Sequence, residues 1–261
     1  MPTEEFIIAL FCRVDEAMGD EPQHPQAKLH PSEVVTLALL YALKGGGGRG
    51  FYRWLTRDYA APFPALPERT RLFRLFTTHR AWADRFLAAP TLLGIADSYG
   101  IELRHPRRHG RTPAQLGRKG LSNHRWIAGG KLCVLVNQWG RIVAWDDAAA
   151  NVHDGTFHPL IARFADRSVV LVDGNFHRTT GDPANMQACA RGRWPQRLLV
   201  ETVFSLLTRV CRLKHAAHRL WATFQMHLAF AVAVFNLLVA WDGFVAAAQG
   251  ATRLALARFS L

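Results

Sequence analysis

The chain has 261 residues, 49% of them hydrophobic, which suffices for a sizeable core in one large domain or two modest ones and excludes a disordered chain. Its formal net charge of +12 is uneven, because residues 1–90 hold eleven Lys/Arg against ten Asp/Glu and leave nearly all of the surplus to residues 91–261. Cys12, Cys133, Cys189 and Cys211 form no C-x-x-C pair, which excludes a zinc ribbon and a disulfide framework and fits a reducing cytoplasm.

Residues 1–90 read as helical. TEEFIIALFCRVDEAM places Phe6, Ala9, Leu10, Arg13, Val14 and Ala17 at helical spacing, with Thr3 as N-cap and Glu4 and Glu5 in the first turn. Those two acids also stand where a signal peptide would need basic residues, so a cytoplasmic protein is expected. A second helix runs through PSEVVTLALLYALK and stops at the glycines 45–48, which do not sustain regular structure. RGFYRWLTRDY and ERTRLFRLFTTHRAWADRFL predict two more helices on either side of a Pro-rich passage. Arg69, Arg71, Arg74 and Arg80 recur there among apolar residues, as in a helical module that lays one face on DNA; a solvated bundle face is an equal alternative.

From residue 91 the period changes. TLLGIADS, RWIAGGKLCVLVNQ, RIVAWDDAA and SVVLVDGNF are strand-like, with a hairpin turn at NQWGR and a short amphipathic helix at GTFHPLIARFA. The order predicts an α/β fold, a mixed sheet with helices packed on it. Phe224–Trp241 lacks charged residues and nearly reaches the length of a membrane span. Gln225, His227 and Asn236 interrupt it, so a buried packing helix and no membrane partner are expected; a membrane-associated chain is the weakest alternative.

Leu103–Trp145 contains no acid and nine Lys/Arg, among them Arg104, Arg107, Arg108, Arg118, Lys119 and Lys131. Such a segment tracks phosphates, because neutralised phosphates release counterions; a solvated loop is the bland alternative. Asn151, His153 and Asp154 follow the third strand, where Asp154 is read as a helix N-cap or a DNA-positioning group and not as a metal ligand. His215 and His218 are read as solvent or phosphate contacts and not as a zinc site.

Three acids stand apart. Asp97 and Asp173 are expected at the ends of the first and fourth strands, and they meet only if those strands are neighbours. Glu201 is the only acid between Pro183 and Trp241, against seven Lys/Arg. It lies on a helix opened by Pro195 after Trp194, with Arg197, Glu201 and Thr208 on one polar stripe. Three carboxylates brought together repel one another unless cations lie between them. Oxygen ligands favour Mg²⁺ or Mn²⁺, and two such ions can serve attack on a phosphodiester. Turn residues and a first-turn Glu are the structural alternatives.

IADSYGIEL, the passage KGLSNHRWIAGGKLCVLVNQWGRIVAWDDAAANVHD, LVDGNFH and RLLVETVFSLLTRV together resemble a DDE transposase of bacterial insertion sequences, the group with a ribonuclease H-like core. HPSEVVTLALLYALK through FPALPERTRLFRLF resembles the helical part of such enzymes, so the likeness extends over most of the chain. It implies a ribonuclease H-like mixed sheet flanked by helices in residues 91–261, preceded by an all-helical DNA-binding region in residues 1–90. It implies Asp97, Asp173 and Glu201 as the catalytic, metal-binding triad for two Mg²⁺ ions, with Mn²⁺ as substitute. It also implies that Arg197 contacts DNA or positions Glu201. Trp194 and Thr208 stand where the family carries Tyr and Lys, and the adjacent Arg209 is a further DNA contact. The 27 residues between Asp173 and Glu201 are short for the family's strand and helix. The implied work is cleavage at terminal inverted repeats and strand transfer into target DNA, by a homodimer on paired ends, in a cytoplasmic, nucleoid-associated protein. The rival is an inactive remnant that binds DNA or represses.

Overall fold

The computed structural model describes residues 3–19, 21–105, 107, 110, 116–122, 125–189, 197–213, 218–242, 245–246 and 252–253. Four helices open the chain. α1 (Thr3–Met18) buries Phe6, Ile7, Leu10, Val14 and Met18. Arg13 and Ala17 are exposed, so the buried face is turned from the expected one, and the Arg13 guanidinium lies over the Trp241 ring at 3.9 Å. α2 (Pro31–Lys44) is buried nearly all round, and the His30 N–H donates to the Glu33 carboxylate at 2.7 Å to close its first turn. It ends at Gly45 and Gly46, both left-handed (φ +64° and +79°), a conformation that favours glycine.

The glycine run is only partly irregular, contrary to expectation: α3 (Gly48–Asp58) starts inside it. A Cβ on Gly48 would meet the Phe73 ring at 2.7 Å, so the bare backbone is what lets α3 close on its neighbour. The long helix expected at residues 68–87 is two pieces, α4 (Arg69–Thr78) and a 3-10 turn at Arg80–Phe86. They separate at His79, whose ring stacks on Trp82 at 4.1 Å.

The sheet comprises β1 (Leu93–Arg104), β2 (Arg118–Ser122), β3 (Arg125–Asn137), β4 (Ile142–Ala149), β5 (Val169–Asp173) and β6 (Met186–Cys189). Its order is β2-β3-β1-β5-β6, with β4 also on β3. β3 is antiparallel to β1, to β2 and to β4, whereas β5 is parallel to β1 and to β6. The expected hairpin joins β3 to β4 through Asn137 and Arg141, with Gly140 left-handed (φ +75°). β2 and β6 were not expected, and the helix foreseen at 155–165 is a 3-10 turn at Asp154–Phe157 followed by α5 (His158–Ala162).

One face of the sheet packs Ile95, Leu132, Val134, Val136 and Leu171 into a core shared with the N-terminal helices, α6 (Arg197–Arg209) and α7 (Trp221–Asp242). The other face packs Ala96, Cys133, Leu135, Val170 and Val172 under Phe157, Leu160, Ile161 and Phe176. α7 is long and apolar enough to cross a membrane, yet 83% of its apolar window is buried within the fold, as a packing helix requires. Asn236 secures it: the side-chain amide donates to Phe86 O (2.9 Å) and Ile142 O (2.7 Å), and its oxygen accepts from Ile142 N–H (2.8 Å). These bonds satisfy the buried amide and tie α7 to β4 and to the 80–86 turn.

Candidate active site

The first and fourth of the expected strands are neighbours. β1 and β5 pair in the register Leu93↔Val169, Gly94↔Val170, Ile95↔Leu171, and the same step carried onward sets Asp97 level with Asp173. Ile95 and Leu171 belong to the helical-face core, and side chains two residues on return to that face. Both carboxylates therefore stand on the helical face, on strands about 4.8 Å apart. Asp173 closes β5 as expected. Asp97 does not end its strand: β1 runs on to Arg104 because β3 keeps pairing with it as far as Ala128. The Ser98 N–H donates to Asp97 Oδ1 at 2.7 Å.

α6 crosses the same face. Val200, Val203, Phe204 and Leu207 form its buried seam, and the Phe204 ring stacks on Tyr99, two residues beyond Asp97, at 5.3 Å. Glu201 is exposed one turn ahead of Phe204. Among the described residues no three His, Cys, Asp or Glu side chains form a group able to hold a metal ion. Asp97 and Asp173 thus lie on neighbouring strands of one face, and together with Glu201 they form no such three-residue group. As hard oxygen donors on neighbouring strands, the two aspartates fit part of a Mg²⁺ or Mn²⁺ ligand set.

The expected DNA contacts divide. Arg118 and Lys119 are exposed on β2, Arg209 is exposed in the last turn of α6, and Arg107 is exposed beyond β1, where Arg104 is half-buried. Arg197 opens α6 with its side chain outside the described residues, and Arg108, Trp194 and Pro195 also lie outside them. Thr208 hydrogen bonds to Ser205 O within the helix (2.9 Å).

Lys131 has a different position, with only 11% of its side chain exposed. Its Nζ donates to Asp154 Oδ1 and to Val152 O, both at 2.8 Å. Ser98 Oγ donates to the same Asp154 oxygen at 2.6 Å. Ser98 and Lys131 alternate with Asp97 and Leu132, so this network lies on the opposite face from Asp97. A lone lysine inside the apolar GGKLCVLV was the sequence signal for a buried ion pair. Asp154 is not the cap of the following turn; His153 is, its Nδ1 accepting from the Gly155 N–H at 3.1 Å. Burial, then Asp97, Asp154 and Asp146, push the Cys133 thiol up, leaving it neutral.

His215 lies outside the described residues, and His218 is half-buried, with its Nε2 buried. Its ring sits 5.0 Å from that of His227, which in turn meets Tyr41 at 5.5 Å. Burial lowers His218 to about 4 and His227 to about 3. Neither ring nitrogen of His227 has a hydrogen-bond partner among the described residues. Past Asp173, His177 Nδ1 lies 2.6 Å from Asp182, and the Arg178 N–H donates to that carboxylate at 2.9 Å; both hold Asp182 below the usual range. No expectation had covered this pair. A cavity of about 490 Å³, lined by Tyr99, Glu102, Arg104, His105 and Arg125 among others, runs along the C-terminal half of β1, starting two residues beyond Asp97.

No family model, curated protein or solved structure matches the chain.

Proposed function

We propose that the chain is a DDE-type DNA transposase with a ribonuclease H-like core. The observation that carries the reading is the parallel pairing of β1 with β5, the strands that bear Asp97 and Asp173, on the face crossed by the helix that bears Glu201. The order β4-β3-β1-β5-β6, antiparallel up to β1 and parallel beyond it, supports the fold assignment.

Asp97, Asp173 and Glu201 are the residues that would hold Mg²⁺ or Mn²⁺. When bound, such ions activate a water or a 3′-hydroxyl and offset charge on the leaving oxygen. The hydroxyl oxygen attacks phosphorus, the bond from phosphorus to the 3′-oxygen breaks, and that oxygen leaves as a 3′-hydroxyl after taking a proton. In strand transfer the freed 3′-hydroxyl attacks a target phosphate in the same way. Arg118, Lys119 and Arg209 bind phosphates on either side and add affinity without reading sequence. Paired element ends call for a homodimer, acting in the cytoplasm on nucleoid DNA.

A second reading, an inactive remnant that binds or represses at element ends, draws on the absence of a three-acid metal group among the described residues. Between Asp173 and α6 the described residues form a short 3-10 turn at Gly174–Phe176 and β6. Cleavage of a labelled duplex from the DNA flanking the gene, with Mg²⁺ or Mn²⁺, decides between the two. Nicking at the element boundary that disappears in Glu201→Gln supports the enzyme. Salt-sensitive binding without nicking supports the remnant.

A further inference from the structure

The β2–β3 pair carries an apolar patch that the fold does not use. Leu121 and Trp126 are Cα partners across the two strands, and they are 56% and 55% exposed. Lys119, on the same face as Leu121, holds its ammonium 4.9 Å from the Trp126 ring centroid. Arg118 and Arg125 are exposed on the opposite face of the same strands. Residues 103–145 contain no acid, and Glu102, just before them, is paired with Arg125.

The patch has a defined relation to the aspartates. Trp126 is an even number of residues from Val134, the Cα partner of Asp97, and so lies on the same side of β3. At about 3.3 Å per strand residue the separation is roughly 26 Å, or some seven to eight base pairs of duplex.

An apolar pair with a lysine on its own face, on strands within residues 103–145, which hold nine Lys/Arg and no acid, complements a partner with an anionic exterior and an apolar interior. Duplex DNA has both, in its phosphates and its base steps. We propose that Leu121 and Trp126 form a wedge that enters a base step of bound duplex DNA, roughly 26 Å from the phosphate handled at Asp97 and Asp173. Lys119, on the face of the wedge, takes a flanking phosphate. Unstacking the step costs a few kcal/mol, offset by the added protein surface that a bent duplex meets. This inference rests on the DNA reading above.

The test uses the full chain and a duplex of about 30 base pairs with a donor and an acceptor dye at its ends, a length that resists smooth bending. Wild type is compared with Trp126→Phe and with the double variant Leu121→Ala/Trp126→Ala, with circular dichroism as the check on folding. The wedge requires wild type and Trp126→Phe to raise energy transfer, as a kink of about 20–90° would. The double variant is expected to bind within about threefold, with an unchanged salt slope, and to leave the duplex straight. Equal bending by the double variant, or binding by wild type without bending, overturns the wedge and leaves the DNA reading standing. Tighter binding to a single strand, lost in the double variant, makes the patch a stacking platform and also overturns the wedge. Loss of self-association in the double variant with the bend retained assigns the patch to a second copy and does the same. Failure of wild type to bind any duplex at low salt overturns both readings.

Discussion

The two faces of the sheet treat carboxylates in opposite ways. On the smaller face, Asp154 is matched by the Lys131 ammonium and the Ser98 hydroxyl, an arrangement that satisfies a partly buried charge. On the helical face, Asp97 and Asp173 lie on the neighbouring strands β1 and β5. Asp154 serves the fold through this network, whereas Asp97 and Asp173 are the pair assigned above to the proposed reaction.

The largest expected effect sharpens this contrast directly. Asp97→Asn is expected to reduce metal-dependent nicking by about a thousandfold or more while changing the melting temperature little. Asp154→Asn is expected to lower the melting temperature and to leave nicking measurable. If the two variants exchanged these outcomes, the division of roles between the faces would be wrong.

Asn236→Ala comes next, at about 3 kcal/mol, because three buried hydrogen bonds to Phe86 and Ile142 lose their partner. A urea midpoint that does not move would mean that α7 is held by its apolar surface alone. Lys131→Met is expected to cost about 2 kcal/mol, since the Asp154 carboxylate is left partly buried without its cation. Adding Asp154→Asn should return part of that loss, and a double-mutant cycle with no coupling would remove the ion pair from the account.

The smallest effect is a pH dependence that belongs to the helical face. His218 and His227 are held neutral, at about 4 and about 3, below the 6.5 of a free histidine. The unfolded chain therefore binds more protons, and stability that is fully present above pH 6.5 is lost as pH falls through and below that value. Between pH 7.5 and 6 the two together should lower stability by on the order of 1 kcal/mol, read as a shift in the unfolding midpoint. His227→Phe should flatten the profile, and an unflattened one would assign it to other groups.

Elements governed by local chemistry were legible in the sequence. α2 has the expected limits and α1 differs only in that Thr3, expected as its N-cap, is its first residue, because first-turn acids, a proline at the start and a glycine stop act over a few residues. The break at His79 was not legible, since the apolar period continues through it and contact of Trp82 with His79 decides it. β2 has a mixed polar pattern that becomes a strand only beside β3. At the site, residue type alone singled out Asp97, Asp173 and Glu201. Their mutual placement was not legible, because parallel register is set by distant strands and the seat of Glu201 by how α6 packs. His218 drew notice for its spacing from His215, but its contact is His227, across the start of α7.

The position of α7 in the chain also bears on synthesis. The helix packs against α2, α4 and the 80–86 turn, and Asn236 bonds to Phe86, 150 residues earlier. At ribosomal rates of about 5–20 residues per second, the N-terminal helices wait on the order of ten seconds for the segment that completes their core. Over that interval the apolar sides of α1 and α2 have no final cover, so they are the surfaces a chaperone would hold until α7 emerges.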